Sequence, residues 1–237
     1  MRWIHLRLRA PLASFGGEAI DAHGITRDFP SQSMLTGLIA NALGWHRRLR
    51  EQHQHLQSRI VYAAIRETEP VLGRTTDYQT AQLAKDDRVW TTGGVPAQRD
   101  GGPGTYIGAH QRWRDYHADL RMSVVLRLDR VEEQPTLADL EAAFVRPARP
   151  LFLGRKSCLP ATPIFQGCVD AANARAALAA VAANTSGTLR ALWPATEGTF
   201  DADRTFYQTD ERNWLTGLHG GARAVCEGRV VTAPTDG

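Results

Sequence analysis

The sequence predicts an α+β protein: a ferredoxin-like (RRM-like) βαββαβ domain with a protruding arm inserted in it and a mixed C-terminal tail. Segments of apolar alternation and of helical spacing follow one another as strand, helix, strand, arm, strand, helix, strand. The 237 residues are 43% hydrophobic, which suits one elaborated globular domain. We place the ferredoxin-like domain at residues 1–170, the arm at about 72–112, and a C-terminal extension of a helix and short strands, packed on the domain, at 171–237.

Four strands are predicted in the domain. In the first, at residues 2–10, apolar side chains occupy positions 4, 6 and 8, and basic or aromatic ones occupy the positions between them. The others are predicted at 59–67, at 121–129 and near 164–169, and the one at 121–129 repeats the apolar and arginine faces. The helices are expected to cover the apolar face, which leaves the other face for function or for the tail.

Helices are predicted at 31–50, with Ser31 or Ser33 as N-cap, and at 136–145, capped by Thr136. The first helix ends in arginines at 47, 48 and 50, which would complement the negative end of the helix dipole. The C-terminal extension contributes an alanine-rich helix at 170–183 and a short strand at 223–231.

Residues 70–118 differ from the rest, because glycines and prolines, including Gly93-Gly94 and residues 101–104, interrupt any long element. A stretch of this length without firm periodicity is usually functional or disordered. We interpret it as a hairpin or arm that projects from the core.

The charge pattern indicates a basic, arginine-rich protein. The chain has 28 Lys and Arg against 25 Asp and Glu, a net charge of +3, and its only lysines are Lys85 and Lys156. Either a GC-rich genome or a nucleic-acid ligand explains the bias, because guanidinium groups suit phosphates and stack on bases. A cytoplasmic location is expected from the lack of a membrane-length apolar run, of a signal peptide and of CxxC pairs among Cys158, Cys168 and Cys226.

Motifs of common enzyme classes are missing from the sequence, namely GxSxG, HExxH, a Walker loop and GxGxxG. The eight histidines are scattered, and His53 and His55 have the polar neighbours of a solvated helix end. Asp86-Asp87 lies beside basic residues and is interpreted as a solvated charge cluster. We therefore expect no metal, no cofactor and no catalytic residues.

A first candidate phosphate site lies at residues 27–33. Arg27 precedes a helix start that carries the hydroxyls of Ser31 and Ser33. Free backbone amides at such a start can hold a phosphate, and the arginine adds a charged fork. Ordinary helix capping is the alternative explanation.

A second candidate site lies at residues 149–156, which include Arg149. Arg155 and Lys156 follow Gly154, whose missing side chain lets another backbone approach closely. Two cations beside such a glycine suit a phosphodiester chain, whereas a structural turn with surface charges is the alternative.

A third candidate site lies at residues 110–116, where Arg112 and Arg114 interleave with Trp113 and Tyr116. This composition can stack bases and grip phosphates. An aromatic anchor that packs the arm onto the core is the alternative. Three basic segments around one sheet make RNA the favoured ligand.

Several segments together resemble the CasD group of the Cas-five family (RAMP superfamily), which are subunits of type I-E CRISPR Cascade complexes. The similar segments are APLASFG at 10–16, TRDFPSQSMLTGLIANALG at 26–44, RWRDY at 112–116 and PLFLGRKSC at 150–158. The last of these is the most specific, and the resemblance runs from residue 2 to about residue 170.

The resemblance implies a non-catalytic subunit of an antiviral ribonucleoprotein, with a thumb at about 72–112, which caps the backbone of the complex and holds the 5′ handle of the crRNA. Its partners would be the crRNA, a backbone subunit, the large PAM-recognising subunit and, through the complex, target DNA; no membrane is implied. The handle contacts would then fall at Arg27, Ser31, Ser33, Arg112, Arg149, Arg155 and Lys156.

A catalytic branch of the family, in subtype I-C, cleaves precursor crRNA with a tyrosine, a lysine and an adjacent histidine. Here Lys85 precedes an aspartate and Lys156 precedes a serine, a departure that argues against a nuclease. His23, near Arg27, is the one candidate base. The alternatives that stay open are a metal-independent endoribonuclease that processes CRISPR repeat RNA and a protein-only scaffold.

Overall fold

The computed structural model describes residues 1–17, 21–68, 73–82, 84, 87, 89–90, 96–97, 108–183, 187–199 and 201–232. The strands are β1 (Arg2–Ala13), β2 (His23–Gly24), β3 (Ile60–Arg66), β4 (Arg74–Ala81), β5 (Val89–Trp90), β6 (Pro96–Ala97), β7 (His110–Leu128), β8 (Phe165–Asp170), β9 (Gly187–Pro194), β10 (Ala202–Gln208) and β11 (Arg223–Thr232). The helices are α1 (Gln32–Ala42), α2 (Arg50–Arg59), α3 (Leu137–Val145) and α4 (Ala174–Ala182). Among the described residues, none of the helices is long and apolar enough to cross a membrane.

The strands form one large sheet in the order β10-β11-β9-β3-β7-β1-β8, and the neighbours along this path are antiparallel. Helices α1 and α2 connect β1 to β3, and α3 connects β7 to β8. β2 and β4 pair with the outer half of β7, and β5 pairs with β6 in a separate hairpin. The fold is therefore mixed α and β, and the C-terminal extension lengthens the main sheet by adding β9, β10 and β11 beyond β3.

The core lies on both faces of this sheet. On one face, the apolar positions of β1 pack with Leu35 and Ile39 of α1 and Leu140 of α3, as the alternation predicts. On the other face, Trp3 is fully buried with Leu178 of α4 and other residues of the C-terminal extension. The extension therefore covers part of the face that the sequence leaves open.

The predicted helix at 31–50 is wrong in its second half. α1 ends at Ala42, and Gly44 follows with a φ of +75°, a conformation that suits glycine. The separate helix α2 then begins at Arg50 and was not predicted. The arginines at 47, 48 and 50 therefore lie at the positive N-terminal end of α2, where the dipole opposes cations.

The predicted solvated helix end at His53 is also wrong. The side chain is only 4% exposed, and its ring centroid lies 5.7 Å from that of Trp45 and 4.7 Å from that of Trp214. Burial lowers the pKa of His53 below its ordinary value. His53 therefore contributes to a small aromatic cluster between α2 and the C-terminal part of the chain.

The strand predicted at 121–129 is the second half of a much longer strand. β7 spans 19 residues, and its first half pairs with β4 to form a two-stranded ribbon, which we define as Arg74–Ala81 with residues 110–117. Every residue of β4 is exposed. The predicted charge cluster and glycines of the arm (Lys85, Asp86, Gly93-Gly94 and residues 101–104) lie outside the described residues.

The other predicted elements are confirmed with small shifts. β3, β8 and β11 match the predicted strands, and Thr136 caps α3 in a capping box with Asp139. α4 begins later than predicted, at Ala174, because β8 extends to Asp170 and Asn173 caps the helix.

Candidate nucleic-acid interface

The glycine loop at 150–158 is seated on the end of β1. Gly154 has a φ of +89°, and a Cβ atom there would lie 1.6 Å from the carbonyl oxygen of Ser14. The Ser14 amide donates to the Leu153 carbonyl at 3.1 Å. The close backbone approach predicted at Gly154 is therefore made by the chain's own β1, and it fixes where Arg155 stands.

A cleft of about 300 Å³ opens between this loop, the end of β1, α1 and a segment that we call the strap, residues 209–222 between β10 and β11. Its walls are mostly apolar. Of the predicted contact residues it brings together Ser31, Ser33 and Arg155. The strap adds Arg212, Trp214 and His219.

The amides at the start of α1 have internal acceptors. Ser31 is the N-cap, and its hydroxyl accepts from the Met34 amide at 3.1 Å. The Gln32 amide donates to the Asp210 carboxylate at 3.1 Å, and the Ser33 amide donates to the Asp210 carbonyl at 3.0 Å. The structure thus has the capping arrangement at this helix start, supplemented by a carboxylate of the strap, in place of free amides.

Asp210 belongs to a buried charge network that ties the strap to the core. Its fully buried side chain lies 2.9 Å from Arg223 Nη2 and accepts from the Tyr62 hydroxyl at 3.2 Å. Burial by itself would lower the pKa of Arg223, but Tyr62 and Asp210 raise it above the ordinary value. Arg27 adds a further tie, because its guanidinium donates to the Thr209 carbonyl at 2.8 Å.

Two guanidinium groups converge on Gly24 at one end of the cleft. Arg155 stacks over the Tyr116 ring at 4.6 Å and donates to the carbonyls of Asp115 at 3.3 Å and of Gly24 at 3.4 Å. A Cβ atom on Gly24 would lie 2.8 Å from Arg114 Nη1 and 3.3 Å from Arg155 Nη2. Two like charges held this close favour an anion between them.

The ribbon carries both of the features that were proposed for residues 110–116. Tyr116 is buried, as an anchor would be. Trp113 is exposed and lies against Tyr78 of β4, with ring centroids 5.3 Å apart. Arg112 is exposed, and its Nη1 donates to the Gln111 carbonyl at 2.8 Å. An exposed aromatic pair beside arginines can stack bases.

The last two predicted contact residues have different surroundings. Arg149 donates to the carbonyls of Gly44 and Trp45, both at 2.8 Å, so its guanidinium holds the turn that follows α1. Arg149 does not line the cleft. Lys156 is exposed and makes no hydrogen bond or ion pair with the described residues, so its ammonium group is free to meet a ligand.

His23 lies at the foot of the ribbon. Its Nε2 is 3.1 Å from a carboxylate oxygen of Asp115, and that oxygen also accepts from the Thr76 hydroxyl at 2.7 Å. Burial by itself would raise the pKa of Asp115, but the hydrogen bonds from Thr76 and His23 lower it. A histidine held by a carboxylate can act as a general base. In the described ranges, no cluster of His, Cys, Asp or Glu could hold a metal ion.

The arginines divide into two electrostatic groups. Many of them, including Arg7, Arg127, Arg190 and Arg223, form ion pairs with carboxylates. The described arginines that have no carboxylate partner among the described residues include Arg47, Arg48, Arg50, Arg112, Arg114, Arg155 and Arg212. Arg155 and Arg212 line the cleft, Arg114 lies beside Arg155 at Gly24, and Arg112 lies on the ribbon. The other three line a recess that adjoins the cleft. Arg146 and Arg149 also lack a carboxylate partner among the described residues, but they do not line the cleft or the recess.

Sequence reasoning missed the strap. Arg212 lies two residues before Trp214, as Arg114 lies two residues before Tyr116, and this signal could have found them. Their position on the cleft could not be read locally, because it depends on contacts with α2 far away in the sequence. Trp214 Nε1 donates to the Gln57 side chain at 2.9 Å.

The sequence is similar to those of known proteins. The sequence profile of a family described as CRISPR-associated protein (Cas_Cas5) matches residues 3–226. The CRISPR system Cascade subunit CasD of Escherichia coli (strain K12) is 30% identical over 188 residues, which cover 74% of this chain and 75% of that protein.

Two solved structures share the fold. A chain of a CRISPR RNA-guided surveillance complex superimposes with a TM-score of 0.66 at 18% identity, over 99% of this chain and 95% of that one. A structure titled "Crystal structure of Cas protein" gives a TM-score of 0.62 at 23% identity, over 98% and 99% of the two chains.

Proposed function

Because the chain belongs to the CRISPR-associated Cas5 family, we propose that it is a non-catalytic, crRNA-binding subunit of a type I-E CRISPR Cascade surveillance complex. In this role it caps the backbone of the complex and holds the 5′ handle of the crRNA in antiviral defence. Its partners are the crRNA, the adjacent backbone subunit, the large PAM-recognising subunit and, through the complex, target DNA. The complex acts in the cytoplasm.

The observation that carries this proposal is the cleft lined by Arg155 of the loop and Arg212 of the strap, neither of which has a carboxylate partner among the described residues. Its volume of about 300 Å³ and apolar walls leave room for a nucleobase. Guanidinium groups without a carboxylate partner in its lining suit the flanking phosphates, because binding a phosphate then displaces no internal ion pair.

The predicted contact residues divide into two roles. Arg112, Arg155 and Lys156, joined by Arg114, reach phosphates, and the Ser33 hydroxyl faces the same cleft. Arg27, Ser31 and Arg149 bond within the chain and hold the cleft walls in place.

We also assign the central strands to the ferredoxin-like class. The order β3-β7-β1-β8, the antiparallel pairing and the two helical connections match a βαββαβ domain. The ribbon then corresponds to the base of the thumb, and α4 with β9, β10 and β11 is the extension packed on the domain.

The test replaces Arg155 and Lys156 together by alanine. The yield of complex assembled on crRNA, and its guide content, should fall roughly tenfold because two phosphate contacts are lost. The control replaces the exposed Arg146 and Arg229, away from the cleft, in the same way. An unchanged yield and guide content would contradict the proposed contacts.

A second variant separates binding from folding, because Arg155 also packs on Tyr116. Arg155→Lys keeps the charge but loses the planar fork, so it should weaken binding less than the double alanine variant. Thermal unfolding of each variant shows whether the fold is intact.

A metal-independent endoribonuclease is the second candidate, and the His23–Asp115 pair beside Arg155 favours it. In that reaction His23 takes the proton of a 2′-hydroxyl, the freed oxygen attacks the phosphate, and the 5′-oxygen leaves with a proton from solvent. Purified protein is incubated with repeat RNA and EDTA. A defined cut that His23→Ala abolishes would establish the enzyme, and intact RNA would support the non-catalytic subunit.

A further inference from the structure

A second group of arginines lies beyond the cleft, outside the predicted contact set. We define the arginine cluster as Arg47, Arg48, Arg50 and Arg212, which line a recess of about 30 Å³ together with Trp214, Thr216 and Gly217. The first three come from the turn before α2 and its first residue, and the fourth comes from the strap. Residues far apart in the sequence therefore converge on one small, polar recess.

The four positive charges have no internal counterion. Arg50 donates to the Leu215 carbonyl at 3.1 Å, and Arg212 donates to the Gly217 carbonyl at 2.9 Å. Across the described part of the chain, none of the four pairs with a carboxylate, and Glu51, in the first turn of α2, forms no ion pair with them. Elsewhere, arginines such as Arg190 and Arg204 share a carboxylate.

The cluster is electrostatically costly as it stands. It lies at the positive end of the α2 dipole, and like charges repel one another at short range. Burial and the nearby charge of Arg47 both lower the pKa of Arg212. A bound anion would relieve this repulsion.

The recess adjoins the cleft. Arg212 and Trp214 line both. Arg212 Cζ lies 5.3 Å from the Trp214 ring, and that ring is fixed by Gln57 and His53. A strand that leaves the cleft past Trp214 meets the cluster next, and the recess is too small to enclose a nucleobase but can receive the oxygens of a phosphate.

We propose that the arginine cluster binds a backbone phosphate of the RNA strand where it leaves the cleft, so that the guide is held at two separated points, Arg155 and the cluster. This inference rests on the proposed function. It assigns a contact to the turn before α2 and to the strap.

The test measures binding of oligouridine RNA to the full chain by fluorescence anisotropy, at several salt concentrations. RNAs of about six and about twelve nucleotides are compared, which fall within the span of ~4–16 nucleotides that single-strand sites cover. The variant is Arg47→Gln with Arg48→Gln, two exposed side chains that make no hydrogen bond or ion pair with the described residues. Arg146→Gln with Arg229→Gln is the matched control, because it removes the same charge outside the recess.

The double variant should bind the longer RNA about tenfold more weakly, and the slope of log affinity against log salt should become shallower by about 0.7, the value for one lost phosphate contact. The shorter RNA and the control variant should change little. If the variant matches the control on the longer RNA, the proposal is wrong.

Binding of duplex DNA to the same variant is also measured, because the phosphate at the arginine cluster could belong to RNA or to DNA. Loss of binding to duplex DNA with unchanged binding to both RNAs would overturn the assignment to the RNA strand. If the unmodified chain binds neither RNA, the proposed function fails and the inference falls with it. If it binds both but the variant matches the control, the inference alone fails.

Discussion

The arginines of the sheet and the arginines of the cleft differ in what they face. On the sheet, Arg7 and Arg9 share Glu67, at 3.4 and 3.1 Å. Along the cleft, Arg155 and Arg212 face backbone carbonyls and aromatic rings. The comparison teaches that one compositional bias serves two purposes: the arginines of the sheet are neutralised by carboxylates, whereas those of the cleft keep a charge that a ligand can neutralise.

The largest effect is expected from detaching the loop that positions Arg155. Gly154→Ala places a Cβ atom 1.6 Å from the Ser14 carbonyl oxygen at a φ of +89°, so the loop cannot stay on β1. The free energy of unfolding should fall by more than ~5 kcal/mol. The measurement is denaturant unfolding of both proteins.

The control for this change is Gly167→Ala. Gly167 also has a positive φ, +118°, but a Cβ atom there meets nothing within 4 Å. This variant should lose only about 1–2 kcal/mol from backbone strain. Equal losses at the two positions would show that the close approach to Ser14 does not matter.

The next effect concerns a buried ion pair that holds the strap. Asp210→Asn leaves Arg223 without its carboxylate partner and should lower the free energy of unfolding by about 3–5 kcal/mol. Asp203→Asn removes an exposed carboxylate 3.8 Å from Arg229 and should cost less than ~1 kcal/mol. Urea unfolding of the two variants compares them, and a similar small cost for both would contradict the role given to Asp210.

A smaller effect is the pH dependence of the free energy of unfolding that arises from His5 of β1. Burial, and then the nearby charge of Arg7, lower the pKa of His5 to about 4, against an ordinary value of 6.5. Between these values the unfolded chain binds a proton that the folded chain does not, so stability falls as the pH falls. The expected loss is about 2–3 kcal/mol across this range.

His5→Gln should flatten this part of the pH profile of unfolding, and the exposed His46→Gln serves as the control for loss of an imidazole. A profile that keeps its slope in the His5 variant would rule out His5 as the source.

The elements that the sequence predicts are those with local signals. β1 alternates from Ile4 to Arg9, and Thr136 with Asp139 closes a capping box over three residues. α2 carries no such signal, because its buried positions include His53, Gln57 and Arg59. His53 bonds to the Leu49 carbonyl one turn earlier, whereas Gln57 and Arg59 donate to backbone carbonyls that are distant in the sequence. Hydrophobic periodicity cannot detect a helix whose inner face is polar.

The candidate site was predicted in part for the same reason. Gly154 beside Arg155 is a local pattern, and the structure places both on the cleft. The capping of α1 by Asp210 joins Gln32 to a residue 178 positions later in the sequence, and no local sequence pattern indicates this contact. The position of Arg212 of the strap on the cleft therefore follows only from the three-dimensional structure and could not be predicted from the sequence.

β7 has a mechanical consequence. Its 19 residues extend at most ~65 Å, whereas a compact domain of this size has a radius of gyration of only ~18 Å. One strand therefore connects two parts of the molecule. Its second half is hydrogen-bonded between β1 and β3, and its first half forms the ribbon with β4. A load applied to the outer end reaches the centre of the sheet along this one strand, through Asp119, whose φ of +50° marks a backbone irregularity near the foot of the ribbon.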